Sequence, residues 1–211
     1  MLVSLFDELH ILVTFALRGQ FLDVDTSIPS RLLDSRVEFD IGAHGYYHRE
    51  FTSLSRSEAK EELNMIGRSM KGLGIKPTSF IFPKNAVAHL DLLEKFGYLA
   101  YRGRGGFFRD STRISKHGGL YDVHPSLFVN KSANARLLMK LLDVSIARKL
   151  PLHIWFHPKD LGTNRKEMET SLVQTYRPFF EYARKKQQSN LVQFETVSSL
   201  VTMIGGRAWL R

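Results

Sequence analysis

Two histidines four residues apart, His44 and His48, lie inside the stretch 38–52, EFDIGAHGYYHREFT. Imidazole nitrogens hold divalent cations at about 2.0–2.1 Å. The chain has no cysteine, so disulfides, thiolate chemistry and Cys-type structural zinc are excluded. Any metal must therefore sit on His, Asp or Glu. If the backbone turns helical after Ala43, a four-residue step rises roughly 6 Å and returns to the same face. Both rings can then grip one ion. The same spacing also suits an unrelated pair, one histidine capping and the other at the surface.

Two further segments carry groups capable of chemistry. TSFIF at 78–82 runs into Pro83-Lys84-Asn85, and PLHIWFHP at 151–158 ends on His157 and Pro158. The second alternates, with Leu152, Ile154 and Phe156 on one face and His153, Trp155 and His157 on the other. Trp155 suits stacking on a sugar or packing in the core. Asn85 suits a substrate hydroxyl or the cap of the next helix. The Arg102, Arg104 and Arg109 loop suits an anionic glycan or plain solvent exposure.

The surrounding elements must bring these segments together. Residues 11–17 form a nearly unbroken apolar run, as in a strand buried on both faces. Further strands are predicted at 37–41, 78–82, 98–102, 120–129, 151–158 and 191–194. Ser55 and Glu58 make a capping box ahead of the apolar stripe Ala59, Leu63, Ile66, Met70 and Leu73. Helices are also predicted at 2–9 and 86–96, and through Lys149 from a cap at Asn130 or Ser132. Another begins at an Asn164–Glu167 cap, which Pro178 must kink or split. A short helix closes the chain. Residues 19–36 and 103–119 read as loops. Strands alternating with helices indicate an α/β fold with a parallel sheet, whose binding residues collect at the C-terminal ends of strands.

At 211 residues, with 43% hydrophobic and 24% charged side chains, the chain reads as a single soluble domain, 1–211. No apolar run spans a bilayer, and the N-terminus lacks the basic start and cleavage site of a signal peptide, so a cytoplasmic location is expected. The net charge of +9 is mostly scattered. No basic-plus-aromatic motif supports nucleic-acid binding.

IGAHGYYHREFTSLSRSEAKEEL, SFIFPKN, LHIWFHP and LFDELHILVTFALRGQFL together resemble the polysaccharide deacetylase family (the NodB-homology domain, carbohydrate esterase family four). The resemblance spans most of the chain, and the order and spacing of the pieces carry it. It implies a deformed (β/α) barrel and the hydrolysis of N-acetyl or other acyl groups on carbohydrate. It implies that His44 and His48 ligate a divalent ion, usually zinc, and that His157 is the general acid for the departing amine. Pro83 would shape the groove and the Lys84 N–H would help hold the oxyanion; Asn85 and Trp155 are candidate substrate contacts by their own chemistry, beside capping and core packing.

The family's first motif, Thr-Phe-Asp-Asp, supplies its catalytic base and third metal ligand, and it is absent from this chain. It belongs to a first strand expected upstream of Met1. Asp40 suits a solvated strand end rather than a replacement. The usual arginine of the third motif is missing, with Phe80 near its place. Without the aspartates the chain is expected to be inactive or crippled, or a glycan-binding pseudoenzyme. The strand at 11–17, lacking its neighbour, is expected to self-associate through its open edge or be covered by residues 1–9 or the C-terminal tail.

Overall fold

The computed structural model describes residues 1–103, 114–130 and 132–206. Its elements begin with α1 (Leu2–Leu9), β1 (Thr14–Leu17), α2 (Gly19–Val24), α3 (Ser27–Leu33), β2 (Asp40–Ala43), α4 (Arg56–Gly72), β3 (Ser79–Ile81), α5 (Leu90–Lys95) and β4 (Ala100–Arg102). They continue with β5 (Ile114–His117), β6 (Leu120–Val123), β7 (Leu127–Phe128), α6 (Ala135–Arg148), β8 (Ile154–Trp155), α7 (Arg165–Ser171), α8 (Arg177–Gln188) and α9 (Val197–Gly206). They gather into two compact units. Among the described residues, one unit holds 12–103, 114–123 and 195–206, and the other holds 1–11, 124–130 and 132–194.

The first unit is a six-stranded sheet in the order β1-β2-β3-β4-β6-β5, parallel except for the antiparallel β5–β6 pair. Every residue of β3 and β4 is buried, as a sheet covered on both faces requires. Helix α4 buries Ala59, Leu63, Ile66 and Met70, the stripe expected from its period. Its start is a reciprocal cap: Ser55 Oγ accepts from Glu58 N, and the Glu58 carboxylate accepts from Ser55 N at 2.8 Å. Phe51, Phe80 and Phe82 pack edge to face, with ring centroids 4.9–5.3 Å apart, beneath the loop that carries the histidine pair.

Asp40, at the N-terminal end of β2, is a junction rather than a solvated strand end. It accepts hydrogen bonds from Thr14 Oγ1 (2.9 Å), Ser79 Oγ (3.1 Å) and Ser198 Oγ (2.8 Å). Helix α9 is tied in again where Val197 N donates to Thr14 Oγ1 at 2.8 Å. These bonds link β1, β2, β3 and the last described helix.

In the second unit β7 and β8 form a two-stranded parallel pair. Helix α1 lays Phe6 against Phe180 of α8, ring centroids 5.3 Å apart. The Asn164–Glu167 cap is present. Pro178 stands in the first turn of α8, directly after a π-helical turn at Leu172–Tyr176; the helix is disturbed there but not split, since Ser171, Leu172, Tyr176 and Arg177 keep right-handed helical angles.

Several expectations are corrected. Residues 19–33, read as loop, form α2 and α3, with Pro29 in the first turn of α3 where its missing N–H costs nothing. Part of the expected loop 103–119 pairs as β5, and residues 104–113, with Arg104 and Arg109, lie outside the described residues. The predicted strand 120–129 breaks at Pro125 into β6 and β7, since proline cannot donate to a ladder. Residues 191–194 are not a strand and join neither sheet among the described residues. Helix α5 starts only at Leu90, after His89 takes a left-handed conformation, and α6 is capped by Asn134, not Asn130 or Ser132.

Candidate functional site

Strand β2 delivers His44 to the C-terminal edge of the sheet, where its backbone N–H donates to Leu17 O at 2.9 Å. No helix follows. The chain turns through Gly45 (φ 69°) and His48 (φ 63°), both left-handed. This tight loop, and not a helical face, brings the two imidazoles together. Their Nε2 atoms lie 3.0 Å apart, with ring planes at 73°.

The chemistry of that pair follows from a backbone carbonyl. His44 Nδ1 lies 2.6 Å from Ile81 O. A carbonyl only accepts, so Nδ1 carries the proton and Nε2 presents its lone pair. His48 Nε2 then donates to it. Two nitrogens sharing one ion at about 2.0–2.1 Å stand roughly 2.8–3.4 Å apart for right-angle to tetrahedral geometry. The observed 3.0 Å fits, provided His48 moves its proton to Nδ1. Among the described residues no group of three or more His, Cys, Asp or Glu side chains converges as a metal site. Asp40 does not complete one, since four strand residues separate it from His44 by about 13 Å.

The loop is held from below by a carboxylate that sequence reasoning missed. Glu62 of α4 is fully buried. Its Oε2 accepts from Tyr46 N (2.6 Å) and Tyr47 N (3.1 Å), and its Oε1 from Arg49 Nε (2.9 Å). Pairing with Glu62 raises the Arg49 guanidinium above its ordinary value. A polar residue inside the apolar stripe of α4 was the sequence signal for it.

At the end of β3, Pro83–Asn85 forms a single turn with Lys84 and Asn85 both left-handed. Pro83 is buried against the loop, 3.3 Å from where a side chain on Gly45 would begin. The Lys84 ammonium donates to Glu50 at 2.8 Å and holds that carboxyl below its ordinary range, so the lysine side chain is engaged on the surface. Asn85 does not cap a helix; its Oδ1 accepts from Arg102 Nη2 at 2.9 Å. Arg102 ends β4 in register with Ile81, and burial pushes its guanidinium down to about 10.

His157 and Trp155 belong to the other unit. His157 Nδ1 and N both contact Asp160 Oδ2 at 2.9 Å. The carboxylate accepts, so Nδ1–H is fixed and Nε2 is left to act from a side chain 46% exposed. The Trp155 ring packs on Phe128 at 4.5 Å and lies 5.5 Å from His157. The alternation read from 151–158 holds here, because Phe156 packs instead on Tyr176 at 4.9 Å. Asp160 and Phe128 were not anticipated, although His-Pro-Lys-Asp carries the spacing of a cap.

No family model matches the chain, and no curated protein matches it by sequence. Solved structures do. A "probable Polysaccharide deacetylase" from Pseudomonas aeruginosa PAO1 superposes with TM-score 0.76 at 14% identity, over 100% of this chain and 73% of its own. Puue allantoinase gives TM-score 0.75 at 14% identity, over 100% and 72%. A carbohydrate esterase family 4 pseudoenzyme from Bacillus anthracis gives 0.61 at 14% identity, over 95% and 59%. The chain therefore has the α/β, barrel-like fold of the polysaccharide deacetylases of carbohydrate esterase family 4.

Proposed function

We propose that this chain is a metal-dependent hydrolase domain that removes N-acetyl or other acyl groups from carbohydrate. The observation that carries the reading is the His44–His48 pair, with Nε2 atoms 3.0 Å apart and the His44 tautomer pinned by Ile81 O. A divalent ion there, zinc by preference for two imidazoles, supplies Lewis acidity toward an acyl carbonyl and toward water. His44 and His48 hold it. The Pro83–Asn85 turn shapes the groove floor, and the Lys84 N–H serves the developing oxyanion. Trp155 offers an apolar face to a sugar ring. His157, with Nδ1–H held by Asp160, delivers a proton from Nε2 to the departing amine, which is too basic to leave unprotonated. His44 and His48 make up this ligand set, since among the described residues no group of three or more His, Cys, Asp or Glu side chains converges as a metal site, and activity is low.

That same two-ligand set favours a second reading, a glycan-binding pseudoenzyme that keeps the groove without cleaving. A protein described as a carbohydrate esterase family 4 pseudoenzyme is among the similar structures. No described helix is long and apolar enough to cross a membrane, so the test uses protein in plain buffer. Zinc affinity, acetate release from an N-acetylated chitooligosaccharide and oligosaccharide binding are measured for the chain and for His44→Ala, His157→Ala and the double variant His44→Ala/His48→Ala. The hydrolase reading expects His44→Ala to abolish zinc uptake, and His157→Ala to slow acetate release by about 10²–10⁴-fold while zinc stays bound. Oligosaccharide binding with no acetate release selects the pseudoenzyme. Zinc uptake that survives loss of both imidazoles removes the metal reading.

A further inference from the structure

Between the two imidazoles the chain has no regular structure; Gly19 N and Gln20 N donate to the Gly45 and Tyr46 carbonyls, and the Tyr46 and Tyr47 N–H groups both end on one side chain, Glu62. Glu62 is fully buried on α4, and α4 is itself clamped by its cap and its apolar stripe. Three donors meet two carboxylate oxygens: Tyr46 N–H and Tyr47 N–H at Oε2, and Arg49 Nε–H at Oε1. The residues so held follow closely on the positions that must stay still, two of them after His44 and one after His48. Gly45 closes the arrangement. Its φ is +69°, and a Cβ there would stand 3.3 Å from both Glu62 Oε2 and Pro83 Cγ. The loop thus has room for a backbone and nothing more.

We propose that Glu62 is a positioning residue for the His44–His48 pair: its carboxylate sets the loop geometry that holds the two Nε2 atoms at chelating distance. The proposal rests on the reading of that pair as a cation site. A carboxylate is required rather than any buried polar group. An amide has one acceptor oxygen and one NH2, so in Glu62→Gln either the two backbone N–H groups or the Arg49 guanidinium would face a donor. The donor–donor opposition forces the loop to move or leaves buried donors unsatisfied. A change in the loop at Tyr46 or Arg49 transfers to the imidazoles through only a few bonds of backbone.

The experiment compares Glu62→Gln, Gly45→Ala and Leu63→Ala. Leu63 is the buried neighbour of Glu62 on α4 and belongs to the apolar stripe, not to the hydrogen bonds that Glu62 makes with the loop. Zinc affinity is measured by competition with a chromophoric chelator. In the metal-free proteins, nitrogen-15 correlations of the His44 and His48 rings report their tautomers and mutual contact. Glu62→Gln and Gly45→Ala are expected to weaken zinc binding by about 10- to 100-fold, the range for partners one step removed from a ligand. Both are expected to shift the metal-free His48 ring signals. Leu63→Ala lowers the unfolding temperature but keeps zinc affinity within about twofold, since it removes only packing. Zinc affinity and ring signals that stay unchanged in Glu62→Gln overturn the proposal. So does an equal loss in Leu63→Ala, which would make the effect one of general stability. If the wild-type chain takes up no zinc, the cation reading falls, and the metal-free ring spectra of Glu62→Gln still decide whether Glu62 positions the pair.

Discussion

Replacing Asp40 with alanine separates a structural carboxylate from a catalytic one. Asp40 accepts three hydroxyl hydrogen bonds, from Thr14, Ser79 and Ser198. It joins β1, β3 and α9 across sequence separations of 26, 39 and 158 residues. Hydrogen bonds to a charged acceptor contribute about 1.5–3 kcal/mol each when desolvated, and less where water can replace the acceptor. Asp40 is half-buried, so about 1 kcal/mol per bond is appropriate, giving ~3 kcal/mol for Asp40→Ala. Asp40→Asn keeps one acceptor and offers a donor that the hydroxyls can accept, and costs ~1 kcal/mol. Urea unfolding followed by circular dichroism measures both. Zinc affinity is expected to be unchanged, because His44 lies at the far end of β2, about 13 Å along the strand. A stable Asp40→Ala that no longer binds zinc would refute this placement and make Asp40 part of the site.

Two further outcomes test the framework. Ser55→Ala removes one half of the reciprocal cap on α4 and is expected to cost about 1 kcal/mol in urea unfolding; an unchanged midpoint would mean the cap bears no weight. Arg177 donates to both oxygens of Glu8 at 2.7 Å and, chiefly through that hydrogen bonding, lowers the Glu8 carboxyl below its ordinary 4.5. A lowered carboxyl adds stability above its unfolded-state value and loses it as pH falls through the folded one. The melting temperature of wild type should therefore exceed that of Glu8→Gln at neutral pH and converge with it in acid; a gap that widens in acid has the wrong sign.

The stripe of α4 and its Ser55–Glu58 cap are local properties, and the chain alone determined them; the apolar run 11–17 is a strand only over Thr14–Leu17, at the sheet's edge and not buried on both faces as expected. The chain alone also determined the order of strands and helices that makes the fold a parallel α/β one; the four-residue spacing of His44 and His48 permits their pairing but does not enforce it, since an extended path would put them about 13 Å apart. The path itself was not local. The histidines meet through two left-handed residues, Gly45 and His48, instead of a helical turn, because Glu62 holds the Tyr46 and Tyr47 N–H groups while Gly19 N and Gln20 N hold the Gly45 and Tyr46 carbonyls. The strand expected at 191–194 joins neither sheet among the described residues: a short apolar run becomes a strand only where a partner backbone is free to pair. Asp40 shows the limit most clearly. Its place on the strand leading to His44 reads as a solvated end, yet its three hydroxyl partners come from residues 14, 79 and 198. Only the folded chain brings such distant residues into hydrogen-bonding range, and tertiary structure therefore decided what that residue does.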